Sequence, residues 1–233
     1  MLISTDPHHN HILNNLSKGE FDRLAPSLEL VTMGFGEIIY EPGSSPNYVY
    51  FPISGIVSLL NVMKNGPSTE IAVVGNEGIL GITVFMGESI SWLAVVKSAG
   101  VTYRLNANIL LTEFNLVGSL QRLLLRYTQA LMTQIAQTVA CNRHHTIDQQ
   151  LCKWLLLSFD RLDGDTLFMT QGLIANMLGV RREGVTEAAC NLQSSGLIKY
   201  SRGKITILNR PKLEKRCCEC YGVVKLEFDR LLN

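Results

Sequence analysis

Residues 171–190, QGLIANMLGVRREGVTEAAC, restrict the fold more than any other stretch of the chain. Ile174, Leu178, Val180, Val185 and Ala188 recur where two short helices crossing at a tight turn bury their apolar side chains. Ala175 is the small residue at the crossing, and Gly179 sits at the turn, where a left-handed backbone is cheap only for glycine. The spacing predicts a helix-turn-helix rather than an ordinary helical hairpin.

With Val185, Ala188, Ala189 and Leu192 turned inward, the second helix presents Arg181, Arg182, Glu183, Thr186 and Glu187 near its start. That end of a helix lying in a major groove meets base edges. Arginine suits guanine O6 and N7, and glutamate suits the cytosine N4 amino group, so Arg182 and Glu183 together match a G·C step. The following GLIKYSRGKITIL has two apolar runs around Ser201, Arg202 and Gly203, which predicts a hairpin wing carrying Lys199, Arg202 and Lys204 toward phosphates. Net charge is only +1, but residues 1–148 hold 8 Lys and Arg against 11 Asp and Glu (−3), whereas residues 149–233 hold 13 against 9 (+4). The basic half is the one with the helix-turn-helix.

Upstream, from about Leu30 to Leu111, short runs rich in Val, Ile and Tyr are broken by glycines, which predicts an antiparallel roll. YVYFPISGIVSLL is the clearest strand and VMKNGPS the clearest turn. A roll of this kind can also house a metal enzyme, but no histidine stands between His11 and His144, and no Ser-His-Asp or Cys-His set can be assembled there. His8, His9 and His11 fit a mobile polar terminus better than a metal site. Ser17 and Glu20 have capping-box spacing ahead of a short helix. The chain therefore calls for no enzymatic activity, metal or other cofactor.

From about Asn115 to Asn142 runs the longest helical pattern, with glycine only at Gly118. Leu116, Leu120, Leu123, Leu124, Tyr127, Leu131, Ile135 and Val139 recur at three- and four-residue steps. That face is broader than one roll needs, and pairing with a second copy would bury it. His144 and His145 read as cations at the helix end. QLCKWLLLSFDRL then predicts a helix whose Leu151, Trp154, Leu155 and Leu157 floor the last domain, and LDGD turns the chain toward Phe168 and Thr170. KRCCECYGVV lies in a predicted terminal helix, with some of Cys217, Cys218 and Cys220 buried as small apolar residues. Three clustered cysteines with no fourth ligand nearby make a poor tetrahedral metal site. No apolar run is long enough to span a bilayer, the N-terminus lacks a leader pattern, and the cysteines show no disulfide framework, which together predict a cytoplasmic protein with free thiols.

TQGLIANMLGVRREGVT, the wing, and the roll followed by a long helix resemble the Crp/Fnr family of bacterial transcription regulators over nearly the whole chain. The resemblance implies an α+β chain of three parts. Residues 1–114 form a cyclic-nucleotide-binding-like jelly roll with N-terminal helices, 115–145 a dimerisation helix, and 146–233 a winged helix-turn-helix. It implies a homodimer on a palindromic operator in double-stranded DNA, with Arg182 and Glu183 as the base-reading pair and Thr170, Gln171 and Arg181 on the DNA backbone. RNA polymerase and an unidentified small-molecule effector are further partners it leaves open. The third base-reading position, arginine in the best-known members, is Glu187, and Gly184 sits inside the helix at a cost of about 1 kcal/mol.

In the family, the roll meets a cyclic nucleotide through a glycine-glutamate turn and an arginine on the phosphate. GNEGILG supplies the turn, with Glu77 as the glutamate, or else as a purely structural residue of a tight inter-strand turn. Ser91, Trp92 and Leu93 stand where the arginine belongs, and Lys97 is the only cation between Gly75 and Tyr103. A point charge does not reproduce the planar guanidinium fork, so the roll is expected not to respond to cyclic AMP. A neutral ligand beside Trp92, or an interior filled by side chains, are the two remaining expectations. The alternative reading is a thiol redox or metal sensor acting through Cys217, Cys218 and Cys220. Iron-sulfur members of the family keep their cysteines near the N-terminus, whereas here the first is Cys141.

Overall fold

A computed structural model describes residues 5–87, 89–162 and 164–232. Asp163 of the LDGD turn, Glu88 before the Trp92 segment and the first four residues lie outside the described residues. The chain opens on α1 (His11–Asn14) and α2 (Lys18–Leu24), and the Ser17–Glu20 capping box forms as its spacing requires. Glu20 also accepts from the Leu120 amide at 3.1 Å, so one carboxylate serves two helix starts.

The roll consists of two antiparallel sheets. β1 (Glu29–Met33), β7 (Gly100–Asn106) and β3 (Tyr48–Pro52) form one, in the order β1-β7-β3. β2 (Ile38–Tyr40), β6 (Leu93–Ser98), β4 (Ile56–Val62) and β5 (Ser68–Val74) form the other, in the order β2-β6-β4-β5. YVYFPISGIVSLL is thus two strands in different sheets, because Ser54 and Gly55 turn the chain from one layer to the other. VMKNGPS makes the β4–β5 hairpin turn, closed by the Met63 amide on the Pro67 carbonyl at 2.9 Å. Alternation sends Val49, Phe51, Val57, Leu59, Ala72 and Val74 into the interior between the sheets, where all are buried.

The strand texture ends earlier than the sequence suggests. A short helix, α3 (Thr83–Met86), interrupts it, and α4 (Ala107–Phe114) replaces its last part, started by Asn106, whose side chain accepts from the Asn108 amide. The long helix α5 spans Ser119–His144, beginning after Gly118 and leaving Leu116 outside it. Most of the apolar face predicted for a partner faces its own chain. Leu120, Leu123, Leu124, Tyr127 and Leu131 are buried, whereas Leu125, Met132 and Val139 stand exposed.

Helix α6 (Ile147–Phe159) starts from a Thr146–Gln149 capping box and is buried along most of its length. β8 (Thr166–Phe168), α7 (Gln171–Leu178), α8 (Arg182–Ser194), β9 (Ile198–Ser201) and β10 (Lys204–Ile207) follow. The wing has three strands, in the order β8-β10-β9, one more than the hairpin read from the sequence. The single terminal helix predicted around the cysteines is two, α9 (Arg210–Arg216) and α10 (Glu219–Leu232), separated where Cys217 adopts an extended backbone (ψ 156°). α10 packs on α5, with the Tyr127 and Phe228 rings edge-on at 6.2 Å, and Tyr221, Val224, Phe228 and Leu231 of α10 are buried. Among the described residues no helix is long and apolar enough to cross a membrane.

The roll and the C-terminal half meet in a polar seam. Glu70 on β5 accepts from Trp154 Nε1 on α6 at 3.0 Å and is also bonded by Ser58, while α7 packs on β5 beside Thr69. Burial pushes the Glu70 carboxyl up to about 7, against the opposing pull of those hydrogen bonds.

Candidate nucleic-acid interface

Thr170 opens α7, its hydroxyl accepting from the Leu173 amide at 3.3 Å. The helix stops at Gly179, left-handed at φ 67°, where the Gly179 amide bonds the Asn176 carbonyl and the Val180 amide bonds the Ala175 carbonyl. Those two bonds satisfy carbonyls the helix end would otherwise strand, and fix the angle at which α8 leaves. Val185, Ala188, Ala189 and Leu192 are buried as the spacing requires. Gly184 has a packing reason: a Cβ there would run into Ile147 Cδ1, so the first turn of α8 lies close on the start of α6. The roughly 1 kcal/mol helix cost therefore permits that approach.

Outside this core, Arg181, Arg182, Glu183 and Glu187 are exposed on the first turns of α8, and among the described residues none makes a hydrogen bond or ion pair through its side chain. Arg181 occupies the N-cap without a side-chain cap bond, so the first α8 amides remain available to an anion. Thr186 and Gln171 are half-buried, the Thr186 hydroxyl donating to Gln171 Oε1 at 2.8 Å, which ties the two helices together and orients the amide. In the wing, Ser201 pairs with Lys204 across a two-residue turn in which Arg202 (φ 52°) and Gly203 (φ 79°) are both left-handed. That geometry matches the twist of the hairpin and holds Arg202 at its tip. Thr170, Lys199, Arg202 and Lys204 are exposed. Gln171, Arg182, Gln193, Tyr200 and Arg202 line a concave surface of about 320 Å³ between α8 and the wing. Burial pushes the Tyr200 hydroxyl up to about 12 there, opposed by the charge of nearby Arg182. The surface combines unpaired guanidinium and ammonium groups with a groove-sized helix, a chemistry suited to phosphates and base edges.

Two family models match the chain, a cyclic nucleotide-binding domain over residues 31–115 and a Crp-like helix-turn-helix domain over residues 149–216. The chain belongs to the Crp/Fnr family of transcription regulators. Solved structures share the fold of this Crp/Fnr protein at low identity. FixK2 from Bradyrhizobium japonicum is 18% identical with a TM-score of 0.72, over 82% of this chain and 98% of its own. A Crp/Fnr-family transcriptional regulator from Thermus thermophilus is 20% identical with a TM-score of 0.63, over 81% and 97%. The c-di-GMP responsive global regulator CLP from Xanthomonas campestris is 13% identical with a TM-score of 0.64, over 83% and 100%. No curated protein matches the sequence significantly. The family is one of transcription regulators rather than enzymes.

Within this Crp/Fnr chain the two roll residues singled out as ligand contacts are not brought together. Glu77 is buried and accepts from Arg161 Nε at 2.7 Å and from the Gly75 amide at 3.1 Å. Arg161, just past the end of α6, also donates to the Leu157 carbonyl at 2.7 Å and to Gln134 Oε1 on α5 at 3.3 Å, and its guanidinium lies 5.6 Å from the Phe228 ring centre. A Cβ on Gly75 would meet the Arg161 stem and one on Gly78 the Tyr127 ring. The glycine-glutamate turn is therefore where α5 and α6 press onto the roll. Glu77 lines a cavity of about 250 Å³ with Arg161, Lys225 and Phe228, whereas Trp92 packs half-buried against the roll core away from it.

Sequence reasoning missed Arg161, whose position after an apolar run reads as a solvated helix end, and it missed the fourth ligand for the cysteines. Cys141 and His145, from the end of α5, join Cys218 and Cys220 in one cluster. Hydrogen bonds from the Cys141 and Cys217 thiols hold the Cys218 thiol below its usual range, while those bonds and burial push Cys141 up. The Cys-x₃-His spacing at 141 and 145 was the available signal, since it puts both side chains on one helical face.

Proposed function

We propose that this protein binds a palindromic operator as a homodimer, with Arg182 and Glu183 reading a G·C step in each half-site. The observation that carries the reading is the run of exposed, internally unpaired charges on α8 and the wing, seated on a fully packed helix-turn-helix core. Desolvating them against their own chain would forfeit contacts to DNA, and the fold leaves them free. Thr170, Gln171 and Arg181 take the DNA backbone beside α7 and α8. Lys199, Arg202 and Lys204 take phosphates from the wing. Glu187 stands where an arginine would read a third base, so the operator departs there from a guanine preference.

Pairing runs along α5, on a different face from the one its apolar periodicity suggests. Leu125, Met132 and Val139 are exposed at seven-residue spacing, with Gln129, Ala136 and Arg143 alternating between them, a heptad seam that a second copy of α5 covers. Two recognition helices then fall one DNA turn apart, roughly 34 Å. Cyclic AMP is not the effector on this reading, because Glu77 is already committed to Arg161 and the phosphate arginine is replaced at Ser91–Leu93. The chain works in the cytoplasm, beside the DNA it reads.

Selection from random duplexes by gel shift tests the proposal. The expected outcome is a two-fold-symmetric site bound by two chains, with affinity falling steeply as salt rises. Failure to enrich any symmetric site at low and moderate salt overturns it.

A further inference from the structure

We infer that Cys141, His145, Cys218 and Cys220 form a tetrahedral site for a thiophilic divalent cation of the zinc class, fastening the end of the long helix to the α9–α10 junction. The inference does not depend on the DNA-binding proposal. Four potential ligand atoms, three sulfurs and one imidazole nitrogen, lie within 4.8 Å of one another. A tetrahedral ion with bonds of about 2.3 Å to sulfur and about 2.05 Å to nitrogen sets its ligands roughly 3.8 Å apart for S···S and roughly 3.6 Å for S···N. Cys141 Sγ and Cys218 Sγ are 3.6 Å apart, and Cys220 Sγ is 3.6 Å from His145 Nδ1. Both distances fit edges of that tetrahedron, and the sulfur pair is far too long for a disulfide.

The surroundings are those of a ligand set rather than of packed apolar thiols. His145 Nε2 lies 3.3 Å from Glu219 Oε2, so in the neutral ring an Nε2–H donates to that carboxylate and Nδ1, the nitrogen facing Cys220, keeps its lone pair for a metal. Metal-bound histidines are oriented by this kind of carboxylate partner. Lys153 is buried on α6 with its ammonium 3.4 Å from Thr138 Oγ1, and its charge acts on Cys141 and Cys220. Three thiolates and a neutral imidazole around a divalent ion carry one net negative charge, and Lys153 offsets it. On binding, three sulfur–metal bonds and one nitrogen–metal bond form, the three thiol protons leave to solvent, and no electron is transferred.

The chain supplies the four groups from two hinges. Cys141 lies in the last turn of α5 and His145 is its C-cap, immediately before α6, and the break between α9 and α10 falls at Cys217 and Cys218, which turns Cys218 and Cys220 back toward α5. The ion would thus clamp the end of the long helix to the segment that follows the wing. Soft sulfur with one imidazole selects zinc over magnesium, calcium or manganese.

Cobalt(II) titration of the reduced full-length protein tests the inference. One equivalent per chain should give the intense ligand-field bands of a tetrahedral site together with thiolate charge transfer, and zinc(II) should bleach both. Cys141→Ser and Cys220→Ser should abolish the charge-transfer signature, whereas Cys217→Ser should retain it. Glu219→Gln alters an exposed side chain that the fold does not require. It should weaken binding about 10-fold with the spectrum unchanged, which tests the site even where a cysteine variant fails to fold. X-ray absorption on the zinc-loaded wild type should show three sulfurs and one nitrogen. Absence of saturable cobalt or zinc binding, an octahedral spectrum, or a Cys141–Cys218 disulfide forming in place of metal uptake overturns the inference.

Discussion

Two charged regions of this molecule have opposite fates. On the recognition face, Arg181, Arg182, Glu183 and Glu187 stand in solvent, and among the described residues their side chains make no hydrogen bond or ion pair. Along the seam, Glu77 and Arg161 are buried and joined at 2.7 Å, and Glu70 is held by Trp154 and Ser58. The residue types are the same, yet one set is left exposed, for DNA on the reading proposed above, and the other joins the two halves of the chain. Unpaired exposure marks the first, and a hydrogen bond to each carboxylate oxygen marks the second. A glutamate in a glycine-rich turn of a nucleotide-binding-like roll is thus no evidence of a ligand until its partners are known.

The largest effect belongs to the seam. Arg161→Ala strands the Glu77 carboxylate in a buried position and should cost about 3 to 5 kcal/mol in urea unfolding. Glu77→Gln combined with Arg161→Met should cost less than the single change, since no charge is left unpaired. A loss under about 1 kcal/mol from Arg161→Ala would erase the distinction drawn between the regions.

Glu70 makes the seam sensitive to pH. Its carboxyl is pushed up to about 7 from 4.5, so the folded chain holds that proton where the unfolded chain has lost it. The stabilisation is full below about pH 4.5 and is lost as pH rises through about 7, up to about 3 kcal/mol in all. Thermal unfolding of the wild type should weaken from pH 5.5 to 8, and Glu70→Gln should flatten that slope. An equal slope in both proteins assigns the effect elsewhere.

On the exposed face the effects move from stability to affinity. Arg182→Ala should cost about 1 to 3 kcal/mol of operator binding and relax preference at one base pair, with the unfolding midpoint unchanged. An unaltered selected sequence would mean that another side chain reads that step. Smallest of all, Arg202→Ala or Lys204→Ala should weaken every duplex alike and lower the salt slope by about one each, read from binding isotherms at several ionic strengths.

The helix-turn-helix was legible because its constraints are local. Ala175, Gly179 and the apolar positions sit within twenty residues of one another, and spacing alone places them. The long helix was half legible. Periodicity identified Leu120, Leu123, Leu124, Tyr127 and Leu131 as apolar, but only the fold reveals that α10 and the roll cover them, leaving Leu125, Met132 and Val139 outward. The cysteine cluster was illegible because Cys141 and Cys218 stand 77 positions apart and meet only through the break between α9 and α10. Arg161 was missed for a related reason: its acid, Glu77, lies on the far side of the long helix in sequence.

The tip of the wing carries a quieter lesson. Arg202 is held at φ 52°, a conformation in which glycine or asparagine would rest without strain and an arginine costs about 1 kcal/mol or more. A chain selected for folding alone would have no use for a long cationic side chain there. Replacing it with glycine should make a more durable protein and, on the reading proposed above, one with a poorer grip on phosphate. Position 202 is thus a place where directed evolution for heat tolerance and directed evolution for regulation would pull apart, and it offers a simple dial between the two.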